Sequence, residues 1–288
     1  MNTVSVNGLQ FAYLEAGQGP TVMLLHGFPD SPHTWDHQMA ALVDAGYRVV
    51  APWLRGYAPT EVPEGGFYDK ATLVHDVAGL IRAVGGGGAV HLVGQDWGAI
   101  IAYALLAAQP ELVRRAVVMA VPHPTRVAQS MLEARHVHRS FHWWFFQLPD
   151  LPEQALRAKN YAFIDYLWRY WTTPDHRDEA HIAQIKTMLD QPGVLSATLG
   201  YYRAMLDPEK GDPSLAELRQ RMNRPISVPT LALCGSEDLR AELMTGQDEF
   251  FTGEYRFELV PGAGHFLQRE KPEAVTRCIL DWFGRSPA

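Results

Sequence analysis

Cysteine is nearly absent: the 288 residues hold two, Cys234 and Cys278, each in an apolar stretch. That is too few for a disulfide-stapled scaffold, so two buried thiols in a reducing compartment are expected, with a disulfide between them left open. Long apolar runs are missing too. Runs such as Thr21–Leu25 and Ala116–Val121 have strand length, far short of the roughly 20 residues a helix needs to cross a bilayer. Met1–Glu15 has no basic segment followed by an apolar one, so no export signal is read there and the cytoplasm is the expected location. No run of Lys and Arg occurs and the net charge is −7, which gives a nucleic-acid partner no electrostatic support. Internal repeats and low-complexity linkers are also lacking. The glycine run Gly85–Gly88 leads into a strand and is not followed by Lys-Ser/Thr, which makes it an αβ turn and not a phosphate cradle.

What is present reads as an ordinary globular chain, with 47% hydrophobic and 20% charged residues supplying both a large core and a solvated surface. Short apolar runs alternate with helical patterns, and this alternation predicts an α/β fold with a mostly parallel sheet covered by helices on both faces. Strands are predicted at Thr3–Val6, Phe11–Glu15, Thr21–Leu25, Arg48–Ala51, Val90–Val93, Arg115–Ala120, Thr230–Cys234 and Arg256–Val260. Helices are predicted at Trp35–Ala45, Thr72–Val84, Trp97–Ala108 and Glu273–Phe283, with Pro110 and Pro272 at a stop and a start. Between Pro124 and Pro225 strand-like runs vanish, and His, Trp, Tyr and Arg recur at helical spacing. The organisation expected is a core from residues 1–124, a helical cap inserted over 125–226 and lying on the sheet's C-terminal edge, and a second core segment from 227–288.

Chemistry concentrates at the ends of the predicted strands. Gly94-Gln95-Asp96-Trp97-Gly98 joins the Val90–Val93 strand to the following helix. A Gly-x-nucleophile-x-Gly at such a junction is a nucleophile elbow, whose sharp turn leaves no room for a Cβ at the glycines. The helix N-terminus behind it favours a negative charge at position 96. Taken alone, the same residues also describe an ordinary turn with Asp96 as helix cap. The companions tip the balance. His26-Gly27-Phe28-Pro29 follows the Thr21–Leu25 strand, and the backbone N–H groups of Phe28 and Trp97 would converge on an oxyanion. Phe28-Pro29 is a candidate cis peptide. Asp238 follows the Thr230–Cys234 strand and His265 follows the last one, giving the chain order nucleophile, acid, histidine. Adjacent Glu237 remains an alternative acid.

Over nearly its whole length the chain resembles the epoxide hydrolase and haloalkane dehalogenase branch of the α/β-hydrolases. His26-Gly27-Phe28-Pro29-Asp30-Ser31 with Trp35, Arg55-Gly56-Tyr57, and Gln95-Asp96-Trp97-Gly98-Ala99 are most similar to soluble epoxide hydrolases. Trp53 and Ala58 depart from that family's usual loop around Arg55, away from the triad. The resemblance implies an eight-stranded α/β-hydrolase sheet, Asp96 as nucleophile, and His26, Pro29, Trp35, Trp143 and Phe266 around the substrate. An aspartate suits attack on saturated carbon, because it is ionised at neutral pH and its ester can be hydrolysed, whereas a serine would form a stable ether. His265 would activate the water and Asp238 would fix its tautomer.

The leaving group is read from the inserted segment. Tyr201-Tyr202-Arg203-Ala204-Met205 resembles the second tyrosine motif of epoxide hydrolases, with Tyr202 at the functional position. Phe141-His142-Trp143-Trp144 resembles the region of the first tyrosine, where His142 stands instead. His with Tyr also occurs in haloacetate dehalogenases, but Trp97 and Ile100 replace the arginines those enzymes place after the nucleophile. Haloalkane release would use an indole N–H from Trp143 or Trp144. Epoxide hydrolysis therefore leads, dehalogenation follows, and a non-enzymatic binding protein is disfavoured because no triad residue is missing. On a helix only His138 and His142 of the His136/His138/His142 group share a face and no acidic partner accompanies them, so no metal and no cofactor are expected. The expected partner is a small apolar epoxide-type molecule, with no membrane or nucleic acid, bound by a monomer or homodimer.

Overall fold

A computed structural model describes residues 1–284. Eight strands form one sheet: β1 Asn2–Val6, β2 Leu9–Ala16, β3 Thr21–Leu25, β4 Arg48–Pro52, β5 Val90–Gln95, β6 Val113–Met119, β7 Thr230–Gly235 and β8 Tyr255–Val260. Each predicted strand is present with its ends shifted by no more than two residues: β2 and β6 start two residues early, at Leu9 and Val113, and β5 ends two residues late, at Gln95. The spatial order is β1-β2-β4-β3-β5-β6-β7-β8, and only the β1–β2 and β2–β4 pairs are antiparallel.

Period-two patterning sends alternate side chains to the two faces. Met23 and Leu25 of β3, Ala116 and Val118 of β6, and Ala232 and Cys234 of β7 enter one core. Their neighbours Val22, Leu24, Val117, Met119, Leu231 and Leu233 enter the other. Because both faces are buried, these strands read as continuous apolar runs and not as alternations. Helices α1 (Asp36–Asp44), α2 (Lys70–Val84) and α3 (Trp97–Ala108) follow β3, β4 and β5. Helix α3 is buried at all but one of its residues, as expected of a central helix.

Between β6 and β7 the chain forms seven helices: α4 Pro124–Ser130, α5 Ala134–Arg139, α6 Phe141–Phe145, α7 Leu151–Trp171, α8 Glu179–Leu189, α9 Val194–Leu206 and α10 Ala216–Arg221. Helix α7 is interrupted at Ala158–Tyr161, where three consecutive residues take positive φ. After β8 come α11 (Leu267–Glu270) and α12 (Pro272–Phe283). Helix α12 buries Val275, Ile279, Trp282 and Phe283, the single stripe its spacing predicts, against the second core.

The inserted helices are tied to loops at the C-terminal ends of strands. Trp168 Nε1–H donates to the Pro29 carbonyl (3.1 Å) after β3. His181 Nε2 lies 2.7 Å from Asp30 Oδ1 in the same loop. Tyr201 O–H donates to the Arg55 carbonyl (2.7 Å) after β4. Arg55 in turn is clamped by Asp76 of α2 through two hydrogen bonds of 2.5 and 2.9 Å. The bidentate pair explains Arg55 as a loop anchor. Phe28-Pro29 is cis, as the sequence suggested; so is Ala58-Pro59, which carried no signal.

Candidate active site

Asp96 sits between β5 and α3 at φ +53° and ψ −117°, a conformation that costs energy for any residue bearing a Cβ and persists only where the surroundings impose it. Its two flanking glycines are the enforcers. A Cβ on Gly98 would lie 2.2 Å from the Leu25 carbonyl oxygen, and one on Gly94 would lie 2.3 Å from the Gly98 carbonyl oxygen. The Asp96 side chain does not cap α3, which removes the helix-cap reading. Instead its Oδ1 accepts the Phe28 N–H at 2.8 Å, while Oδ2 stands 3.5 Å from His265 Nε2.

His265 Nδ1 lies 2.8 Å from Asp238 Oδ2, and Asp238 Oδ1 accepts the Arg240 N–H at 2.7 Å. Glu237 is exposed and reaches only Ser236, so the geometry selects Asp238 as the partner of the histidine. Burial disfavours charge on His265, yet the Asp238 and Asp96 carboxylates outweigh it and raise its pKa to about 9. Burial likewise opposes ionisation of Asp96, but the His265 side chain and the Phe28 and Trp97 N–H groups hold its pKa below the usual carboxylate range. At neutral pH the pair is therefore carboxylate and imidazolium. A folded pKa raised from 6.5 to about 9 stabilises the fold below pH 6.5, and that contribution is lost as pH rises through 9. In Asp96→Asn one carboxylate is gone, so the His265 ring should titrate below about 9; an NMR pH titration of its ring protons reads this directly.

Across from Asp96, α6 and α9 bring His142 and Tyr202 together, with ring centroids 5.6 Å apart. Tyr202 also packs edge-on against Trp97 (5.3 Å), Phe28 (5.3 Å) and Phe146 (5.1 Å). Burial, with help from Arg240 and His265, pushes the His142 pKa well below its ordinary value, so the ring is neutral. Burial and the Asp96 charge push the Tyr202 pKa well above 10, so the phenol keeps its proton. His142 Nδ1 is buried without a hydrogen-bond partner, the mark of a polar atom waiting for a ligand or water.

Not every expected residue joins this group. Trp35 belongs to the core on the opposite face of the sheet, fully buried among strand side chains, and cannot line a substrate pocket. His26 is fully buried with Nδ1 bonded to the Gly27 carbonyl (2.9 Å) and Nε2 accepting the Leu54 N–H (3.1 Å); it shapes the loop and offers nothing to a substrate. Pro29 turns its carbonyl to Trp168, and Phe266 stacks on Trp168 at 3.7 Å while meeting the His265 ring edge-on. Trp143 borders a cavity beside the site, under the Arg240 guanidinium. His136 Nε2 lies 3.5 Å from Glu133 and 3.9 Å from Glu242. Arg240 was invisible in the sequence, since no motif surrounds it. It bonds Ser140 (3.0 Å), covers Trp143 and donates its amide to Asp238, linking the acid loop to the inserted helices.

Residues 20–272 match the family model for the alpha/beta hydrolase fold. The chain belongs to the α/β-hydrolase family. This hydrolase is 34% identical to the AB hydrolase superfamily protein YfhM of Bacillus subtilis, over 97% of its own length and 96% of that protein's. It is 30% identical to Epoxide hydrolase 4 of Mus musculus, covering 95% of itself and 76% of the relative. Its fold superposes on the crystal structure of Epoxide Hydrolase A from Mycobacterium thermoresistibile with a TM-score of 0.84 at 26% identity, over 98% and 97% of the two chains. These relatives set the hydrolase in the epoxide hydrolase branch.

If Asp238 orients His265, Asp238→Asn should slow turnover on the order of 10⁴-fold, because the asparagine amide favours the wrong imidazole tautomer. Glu237→Gln should stay within about twofold of the parent, since Glu237 is exposed. Steady-state rates of the two variants side by side decide which carboxylate acts.

Proposed function

We propose that this hydrolase opens epoxides to vicinal diols through an ester on Asp96. The observation that carries the reading is the His142–Tyr202 pair: two neutral, proton-bearing rings facing an ionised carboxylate. An alkoxide leaving group needs a proton, which these rings can give, whereas a halide needs only N–H donors. The relatives named epoxide hydrolase point the same way. In this reading residues 125–226 act as the cap that supplies the acid.

Asp96 Oδ2 attacks an epoxide carbon, the C–O bond breaks, and the ring oxygen takes a proton from the Tyr202–His142 pair. Oδ1, already on the Phe28 N–H, becomes the ester carbonyl oxygen. Esterification removes the Asp96 charge that helped to raise the His265 pKa, so the imidazolium gives up its proton, which restores the acid pair. Neutral His265 then deprotonates a water that adds to the Asp96 carbonyl carbon, and the oxyanion forms at Oδ1 between the Phe28 and Trp97 N–H groups. Collapse expels the diol's alkoxide, which takes the carboxylic proton and leaves Asp96 ionised.

Dehalogenation uses the same ester, and the buried, unpartnered Trp144 Nε1–H is the observation that keeps it as the second reading. Incubation with a styrene-type epoxide, a bromoalkane and bromoacetate, with assays for diol, bromide and glycolate, separates the two. Diol alone is expected; rapid bromide release with every epoxide intact would transfer the assignment to the dehalogenase reading.

A further inference from the structure

Two residues after Asp238 the chain buries Arg240, which is only 6% exposed. Its guanidinium makes one hydrogen bond, 3.0 Å to Ser140 Oγ, and lies 4.9 Å from the centroid of the Trp143 ring. Among the described residues no carboxylate stands within ion-pairing distance of it. The other two buried arginines have such a partner, Asp76 for Arg55 and Glu254 for Arg115. A guanidinium taken out of water without a counter-ion is costly, and one hydroxyl with one ring face is modest compensation.

The place of this cation in the fold is specific. Ser140 is the N-cap of α6, and Ser140 and Trp143 stand on either side of His142 in the chain. The guanidinium is thereby held against the helix that carries one member of the acid pair. Its charge reaches both members. It helps to keep His142 neutral, and it works against the burial and the Asp96 charge that hold the proton on Tyr202.

When the epoxide opens, Asp96 Oδ2 bonds to carbon, the C–O bond breaks, and the freed oxygen takes the phenolic proton of Tyr202. Negative charge has then crossed the site from Asp96 to Tyr202, which is a buried phenolate until the proton of His265 restores it. We propose that Arg240 is a positioning residue for the acid pair, its uncompensated charge stabilising the negative charge that arrives on Tyr202. The inference rests on the epoxide reading above. The resting site gives Arg240 no counter-ion because the reaction supplies one. A cation fixed there before the charge develops needs no reorganisation at that moment.

Single-turnover kinetics separates this role from that of a strut between the acid loop and α6. Arg240→Met and Arg240→Gln both remove the charge, one with an apolar and one with a polar side chain. In both, the backbone amide still donates to Asp238. Alkylation should slow about tenfold or more in each, short of the loss of a direct donor, while hydrolysis of the Asp96 ester stays within about twofold of the parent. Arg240→Lys should recover most of the alkylation rate, and Ser140→Ala, which cuts the hydrogen bond but leaves the charge, should keep it. In a Tyr202→Phe background Arg240→Met should cost distinctly less, because charge no longer arrives on that ring. NMR titration of the substrate-free protein gives a second readout: the His142 ring should protonate at higher pH in Arg240→Met than in the parent. Alkylation indifferent to the charge, a loss that falls on ester hydrolysis instead, or an undiminished loss in the Tyr202→Phe background would overturn the proposal. A His142 titration that shifts as expected in a protein that turns over no epoxide would remove the epoxide reading and leave the electrostatic link to the pair standing.

Discussion

His265→Gln mixed with an epoxide should accumulate a covalent adduct, and mass spectrometry should place it on the peptide that carries Asp96. The expectation follows from the division of labour at the site. Asp96 is ionised without any base, held so by His265 and by the Phe28 and Trp97 N–H groups. When His265 is replaced, the Phe28 and Trp97 N–H groups still favour the charged form of Asp96, so Oδ2 keeps its competence to attack. Hydrolysis of the ester is impaired, because it needs a neutral base to take a proton from water. Glutamine keeps a hydrogen-bonding side chain at position 265 but has no lone pair basic enough for that step. The adduct should form in one turnover and decay on the order of 10⁴-fold more slowly than in the parent, the scale on which loss of a triad member is felt. Asp96→Ala should form no adduct and show no turnover above background. An adduct on another peptide, or full turnover by Asp96→Ala, would sink the mechanism.

Tyr202→Phe and His142→Phe should each lower epoxide turnover on the order of a hundredfold, the usual loss when one donor to a developing oxyanion is removed. The loss should fall on kcat and leave KM nearly untouched, since a neutral epoxide oxygen gains little from the donors before charge builds on it. Both rings are buried, Tyr202 against Trp97, Phe28 and Phe146, and phenylalanine keeps those edge contacts. Stability should thus change little for Tyr202→Phe, and a matched thermal melt guards against mistaking unfolding for lost chemistry. Stopped-flow measurement of the alkylation step, followed through quenching of tryptophan fluorescence, isolates the affected half-reaction. A variant that opens epoxides as fast as the parent would dismiss the pair as the acid.

The sheet was legible because its strands are buried on both faces, and runs such as Thr21–Leu25 and Val90–Val93 stand out against the polar turns around them. The elbow was legible for a steric reason that the coordinates make explicit: no residue larger than glycine fits at 94 or 98. Trp35 shows where such reading fails. It belongs to the same motif-bearing stretch as Phe28 and Pro29, yet a short turn after Ser31 carries it around to the far face of the sheet. Motif membership follows the chain, and pocket membership follows space. His26 failed for a different cause, its two ring nitrogens being consumed by backbone groups that no sequence displays. Arg240 and Trp171 escaped notice because their contacts, with Ser140 and with the His265 N–H, join segments far apart in the chain and form only when the inserted helices meet the strand-end loops.

One of those contacts bears on motion. The backbone N–H of His265 donates to the carbonyl of Trp171 at 2.8 Å, at the very end of α7. His265 thus hangs from the same helix that covers it, with Trp168 one turn earlier fastened to Pro29 beside the Phe28 amide. A rigid-body swing of α7 wide enough to admit a bulky molecule would pull on the imidazole and on the Phe28 loop together. Traffic in and out is better served by side-chain rotation, while α7 stays anchored as a keel. Tethering α7 to the core with an engineered cross-link should leave the turnover rate intact.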